Sequence, residues 1–324
     1  MLKNFWYACE FSHSVTDQPL TLRLLNQNYV LYRTSQGKLV ALKDQCAHRG
    51  APLSMGIIQD ECIQCPYHGW QYQPDGQCVY IPSNLESATI PKRVRVDRLP
   101  VTEKYDLVWV FIGDPNQAEL TPIPDLLPEH EEGDTWRKIT GVCHFQAHMT
   151  RVIEGFIDVA HVPYVHKQSF GGMGLPRVKN AEFETDNFSG RLVFTIDRDL
   201  NYRRIPFRPA PTKTTGTQEV TFHLPNLVRL KTAFEDFSIV IFAVCVPVQD
   251  NQTVLKWLHL RNFLKTPLAD RNARKRVTKF LEEDRQVLDQ LQPKHSPLEP
   301  RAEFHVSEDA MTIAFRNLLR HHYQ

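Results

Sequence analysis

An excess of charge of either sign is the first thing this sequence lacks: 38 Lys+Arg against 37 Asp+Glu in 324 residues leave a formal net charge of +1. That balance gives no electrostatic reason to expect nucleic acid or an anionic membrane surface as a partner. Long apolar runs are missing too. The most apolar stretch, Phe237 to Val248, is too short to span a bilayer, which takes roughly 20 residues. No integral membrane segment is expected, and the stretch reads as a buried strand. The N-terminal Met1-Leu-Lys-Asn-Phe-Trp-Tyr7 has no apolar core before Glu10, so no secretory leader is expected. The 7 cysteines show no framework spacing, which argues against disulfides and for a reducing, cytoplasmic setting. No glycine fingerprint of a dinucleotide site is present, and Gln168-Ser-Phe-Gly171-Gly172-Met-Gly174 lacks the strand-to-helix pattern of a phosphate cradle. That segment reads as a mobile surface loop, with an active-site lid as the sharper alternative.

What is present is concentrated between Cys46 and His68. Cys46-Ala-His48-Arg49-Gly50 is followed by Cys65-Pro-Tyr-His68-Gly69-Trp70. Two thiolates and two imidazoles in mixed pairs are the ligands of a Rieske [2Fe–2S] centre, both cysteines on one iron and both histidines on the other. A zinc site is the competing reading, and it would favour Cys-x2-Cys or His-x3-His knuckles. Gly50 and Gly69 would let the backbone approach bridging sulfurs, and Pro52 and Pro66 stiffen the two loops. The match is a resemblance to the Rieske domain, and Arg49-Gly50 after the first histidine is usual in Rieske oxygenases. Cys9, Cys62, Cys78, Cys143 and Cys245 lie outside the set. A bridge between Cys62 and Cys78 is conceivable, but free cysteine is usually a small buried hydrophobe.

An α+β protein of two domains is expected. Residues 1–118 carry short alternating strands with turn signals such as Pro74-Asp75-Gly76, the pattern of a small β domain. Leu107 to Ile112, β-branched and aromatic, should be a core strand. Pro122, Pro124 and Pro128, then Glu129 to Gly133, read as a linker, so residues 119–324 form the second domain. After an extended stretch from Trp136 to Gln146 comes a helical segment from Thr150 to His161, with Arg151, Glu154, Asp158 and His161 on one face. A polar face in a core needs partners, and a metal is the economical one. His161 and His166 are five apart and would diverge on an intact helix; Pro163 is expected to bend the chain so that they converge.

Asp158-x2-His161-x4-His166 resembles the mononuclear iron motif of Rieske oxygenases of the single-component monooxygenase and demethylase type. In the helical segment from about Leu268 to Leu291, Val277, Phe280, Leu281, Val287, Leu288 and Leu291 make an apolar stripe with Asp284 at its centre. Glu282 and Glu283 point elsewhere and read as solvated. A lone buried carboxylate is paired, protonated or metal-bound. Asp284 is assigned as third iron ligand because the family places an Asp in a similar Glu-Asp context; Asp289 and a buried salt bridge are the alternatives.

The resemblance implies more. Asp158 would bridge His161 to a Rieske histidine of a neighbouring subunit and carry the electron route, which implies a ring, usually a trimer. Many relatives carry Asn where this chain has Gly155, so that Asn's hydrogen bond is either absent here or taken over by Glu154. The strands from residue 179 to 263 would form the antiparallel sheet of a helix-grip catalytic domain. Val306-Ser-Glu-Asp309 into Ala310 to Leu319 would be a capped closing helix. The expected enzyme takes electrons from a separate ferredoxin and its NAD(P)H reductase. With O2 and a mononuclear Fe(II) it hydroxylates or oxidatively demethylates a small organic substrate. The rival is a Rieske electron-transfer protein with a non-catalytic second domain. Phe156, Tyr164, Phe170, Phe234, Phe237 and Phe242 are pocket candidates that read first as core packing. The basic run Arg271, Arg274, Lys275, Arg276 and Lys279 reads first as a solvated face, with steering of an acidic ferredoxin as the sharper reading.

Overall fold

The computed structural model describes residues 2–85, 87–167, 179–199, 213–299 and 301–323. The loop from Gln168 to Gly174, and with it Phe170, lies outside them. The chain divides into two compact units, Met1–Ile123 and Pro124–Gln324.

The first unit is built from β1 (Phe5–Phe11), β2 (Leu20–Leu24), β3 (Gln27–Arg33), β4 (Leu39–Lys43), β5 (Ile57–Gln59), β6 (Cys62–Gln64), β7 (Gln71–Tyr72), β8 (Cys78–Tyr80), β9 (Val101–Lys104) and β10 (Leu107–Ile112). They form three antiparallel sheets, ordered β1-β10-β9, β2-β3-β4 and β5-β6-β7-β8. Every residue of β10 is buried, which is why that strand reads as a continuous apolar run rather than an alternation. The β5-to-β8 sheet carries the second ligand loop between β6 and β7. Its last hairpin turns at Gly76, whose φ is +86° and where a Cβ would strike the carbonyl oxygen of Val96, so only glycine fits there.

The second unit comprises α1 (Pro128–Glu131), β11 (Arg137–Phe145), α2 (Met149–Ile157), α3 (Val162–Val165), β12 (Lys179–Thr185), β13 (Ser189–Asp199), β14 (Lys213–His223), β15 (Leu227–Phe234), β16 (Phe237–Gln249), β17 (Gln252–Arg261), α4 (Asp270–Leu288) and α5 (Ala310–Tyr323). Its seven strands form one antiparallel sheet in the order β11-β17-β16-β15-β14-β13-β12. The predicted apolar strand at Phe237 is β16. Helix α2 packs on β14 to β17 and on α4 and α5.

Two expectations change here. Glu129, read as linker, is buried and receives Arg229 Nη2 at 2.6 Å and Lys231 Nζ at 3.0 Å, so the sheet claims it. Val287 and Leu291, counted in the α4 stripe, are exposed; the buried side of α4 is Val277, Phe280, Leu281, Asp284 and Leu288. The closing helix begins as expected, with the Asp309 carboxylate accepting from the Val306 amide at 2.9 Å. Among the described residues no helix is long and apolar enough to cross a membrane.

Candidate metal centres

The two ligand loops of the first unit are built alike. The Gly50 amide donates to the Cys46 carbonyl at 2.9 Å and the Gly69 amide to the Cys65 carbonyl at 3.1 Å. Both glycines are left-handed, at φ +74° and +72°, a turn that costs glycine least. Cys46 and Cys65 are buried, whereas His48 and His68 are exposed, with ring centroids 4.6 Å apart. The His48 ring stacks on Trp70 at 4.5 Å. Burial raises the Cys65 thiol's pKa, and Cys46 beside it adds to the rise. Two neighbouring buried thiolates need a cation, and a cluster with buried sulfur ligands and outward imidazoles suits this donor set. Tyr72, on β7, is a further residue of this site that the ligand spacing does not announce. Its hydroxyl lies 3.0 Å from Cys46 Sγ and accepts from the Ala47 amide at 3.1 Å. No bridge joins Cys62 and Cys78; both are free thiols.

In the second unit the helix breaks earlier than expected. Helix α2 starts at His148, whose ring accepts from the Thr150 amide, and ends at Asp158, which turns extended at ψ 125°. The Asp158 carboxylate accepts from the Ala160 amide at 2.7 Å, offering the backbone an alternative to the helix. Pro163 therefore does not make the break. It sits in the first turn of α3, where its missing N–H is harmless. His161 enters α3 and His166 leaves it.

Ligand atoms of His161, His166 and Asp284 all lie within 4.8 Å of one another. Asp284 Oδ1 stands 2.9 Å from His166 Nε2 and 3.4 Å from His161 Nε2. Asp284 is buried on α4, and His166 is buried beside it. Burial opposes a charged His161, yet Asp158 and Asp284 outweigh it and lift its pKa to about 9. Two imidazoles and one carboxylate on one side leave the other side of an ion open, the donor set of a non-haem Fe(II) site. Asp158 Oδ2 lies 3.7 Å from His161 Nδ1. Burial would raise the Asp158 carboxyl, but His161 and the Ala160 and His161 amides hold it below the usual range.

Glu283 corrects the sequence reading. It is not solvated: its Oε2 accepts from His166 Nδ1 at 2.9 Å. Glu282 does face outward, on Arg285. Asp289 is engaged elsewhere, by the Gln146 amide at 2.7 Å. Glu154 does not replace the missing Asn either. It takes Arg316 Nε at 2.5 Å and Arg151 Nη1 at 3.0 Å, and Glu303 joins both arginines at 2.6 Å. At Gly155 a Cβ would come within 2.7 Å of Leu288, so the small residue lets α2 and α4 close on each other. A cavity of about 270 Å³ lies beside these groups, lined by Asp158, His161, Asp284, Leu288 and Phe304 among others. Of the aromatic candidates, Phe156 and Phe242 are core, Tyr164 is exposed, and Phe234 stacks on Phe237. The basic run of α4 is exposed, except that Arg274 also bonds the Thr140 carbonyl and lies over Trp257.

Paired Cys/His loops on one unit and a two-histidine, one-carboxylate cluster on the other define a redox metalloprotein. Residues 5–93 match the Rieske [2Fe-2S] domain, and residues 145–323 match the Vanillate O-demethylase oxygenase C-terminal domain. The chain belongs to the Rieske oxygenases, whose cofactors are the [2Fe–2S] cluster and a mononuclear iron; both donor sets above fit them. It is 34% identical over 235 residues to the putative toluene-4-sulfonate monooxygenase system iron-sulfur subunit of Comamonas testosteroni, a match covering 72% of this chain and 66% of that one. The matched stretch thus spans just under two thirds of that relative. Dicamba O-demethylase, oxygenase component, of Stenotrophomonas maltophilia is 33% identical over 166 residues, 51% of this chain and 48% of its own. Dicamba monooxygenase bound to 3,6 dichlorosalicylic acid superposes with TM-score 0.86 at 23% identity, over 100% of this chain and 98% of that one.

Proposed function

We propose that this chain is the oxygenase component of a multicomponent monooxygenase acting on a small organic substrate. The observation that carries the reading is the convergence of His161, His166 and Asp284 within 4.8 Å in a chain that also holds a Rieske domain. Cys46, His48, Cys65 and His68 hold the cluster; His161, His166 and Asp284 hold the iron. When bound, the two groups together deliver electrons singly to dioxygen so that a C–H bond is hydroxylated, and a hydroxylated methoxy or N-methyl carbon then leaves as formaldehyde. Asp158 fixes the His161 ring from its far nitrogen and offers the remaining exposed part of its carboxylate to a neighbouring subunit.

Support for that neighbour comes from exposure. The Asp158 side chain is 38% exposed, and Phe304, which lines the same cavity, is 93% exposed. An open apolar rim beside a half-exposed acid suits a partner surface, and a homotrimer is the assembly we infer. Reduction comes from a ferredoxin and an NAD(P)H-dependent reductase, in keeping with a relative named as one subunit of a monooxygenase system. The cytoplasm is the proposed setting, in keeping with cysteines that form no disulfide. Metal analysis tests the function: an oxygenase carries three irons per chain, an electron carrier two. Oxygen uptake and product mass, followed over a panel of aryl methyl ethers, N-methyl compounds and aryl sulfonates under a generic ferredoxin system, then find the substrate class. Two irons and no substrate-dependent uptake would defeat the reading.

A further inference from the structure

We infer that Glu283 is a positioning residue for the iron site, acting through His166; the inference rests on the metal reading proposed above. Three residues of α4 converge on one imidazole. Phe280 meets the His166 ring edge-on at 5.8 Å and 86°, Glu283 accepts from Nδ1 at 2.9 Å, and Asp284 lies 2.9 Å from Nε2. Positions 280, 283 and 284 are i, i+3 and i+4, a single helical face. One helix therefore holds the ring at both edges and against one side.

The consequence is chemical. A carboxylate on Nδ1 requires the proton there, which leaves the Nε2 lone pair directed at Asp284 and at His161 Nε2, 3.3 Å away. Neutral His166 without this acceptor can put its proton on either nitrogen, and one of the two tautomers cannot bind an ion at Nε2. His161 has a carboxylate at its own far nitrogen in Asp158. Each histidine thus has a carboxylate at its far nitrogen, at hydrogen-bond distance for His166 and at the longer ion-pair distance of 3.7 Å for His161. Lys279 Nζ stands 3.7 Å from Glu283 Oε1, and that ion pair with a half-exposed lysine offers the competing, purely structural role for Glu283.

Titration of ferrous iron separates the two. The full chain, cluster retained and mononuclear iron removed by anaerobic chelation, takes Fe(II) back, and Co(II) reports ligand geometry by its visible spectrum. Glu283→Met and Glu283→Ala remove the acceptor and should weaken Fe(II) binding about tenfold to a hundredfold, with an altered Co(II) spectrum. Glu283→Gln keeps an oxygen that accepts from Nδ1 and should recover most of the affinity. Lys279→Met should bind as the parent does. The cluster's visible spectrum, unchanged throughout, shows that each variant is folded. Parental affinity in Glu283→Met, or Glu283→Gln as weak as Glu283→Met, overturns the inference. His166→Ala tells which level has failed: if it loses the metal while Glu283→Met keeps it, only the positioning role falls, and if His166→Ala also binds normally, the site assignment falls with it.

Discussion

His161 Nε2 and His166 Nε2 stand 3.3 Å apart, brought together because Asp158 ends one helix and α3 begins another between them. Two imidazoles aimed at one point, with Asp284 as the third donor, bind a cation far better than either alone. His161→Ala should therefore lose one iron per chain. Its brown cluster absorbance should persist, because the cluster ligands lie in the other unit. Oxygen-dependent product formation should fall by more than the roughly hundredfold typical of an outer ligand's loss. Unchanged turnover would remove His161 from the site.

Tyr72 should set the potential of the cluster. Because its oxygen already accepts from the Ala47 amide, its own proton is available to Cys46 Sγ. A donor to a ligand sulfur favours the reduced, more negative cluster. Tyr72→Phe should lower the reduction potential by roughly 40–60 mV, the equivalent of about 1–1.5 kcal/mol for one electron. Redox titration followed by EPR reads the shift, and a potential that stays or rises contradicts the assignment.

Cys46, His48, Cys65 and His68 are legible as candidate cluster ligands because residue type and spacing are themselves the chemistry. Asp284 was legible as a candidate ligand, from its place in an apolar stripe together with the family's Glu-Asp context. Glu283 was not, although it stands three residues after Phe280, a spacing that could have flagged it. It flanks the stripe, and only the arrival of His166, 117 positions away in the chain, decides that the flank is covered. From the sequence the helix break belongs at Pro163, because proline is the stronger breaker in general. The carboxylate of Asp158 acts first, and proline in a first turn breaks nothing. Glu129 looked like linker for a similar reason: its partners Arg229 and Lys231 come from β15, which composition near Pro128 does not announce. Short strands of the first unit show in their alternation and β10 and β16 in their apolar runs, but the strand order within each sheet does not, and Val287 and Leu291 show that periodicity cannot tell a core from a cavity wall.

Acid should loosen the closing helix. Arg151 and Arg316 hold the Glu303 carboxyl down at about 2, below the roughly 4.3 of an unfolded Glu. The folded state therefore binds fewer protons in that window, and stability rises with pH across it. This contribution should be complete above about pH 4.3 and disappear as pH falls toward 2. Thermal unfolding of the parent and of Glu303→Gln, compared at each pH, should differ at pH 6 and converge at the acid end. A gap that does not change with pH would mean that the pair with Arg316 contributes nothing through charge.

Asp158 gives the sharpest separation between holding metal and moving electrons. Its carboxylate is not among the atoms that converge on the iron position, yet it lies 3.7 Å from His161 Nδ1 and is partly exposed. Asp158→Asn preserves size and one acceptor oxygen while removing the charge, so the chain should keep the parent's iron content and the parent's mass in solution. Chemically reduced cluster should then pass its electron to the iron about tenfold to a hundredfold more slowly, a loss of the size that removing such an outer partner brings. Single-turnover product yield against cluster reoxidation, with sedimentation of the same sample, measures both halves. Parental reoxidation in Asp158→Asn would take the electron route away from this residue, and full activity in a monomeric fraction would show that no neighbouring subunit is needed.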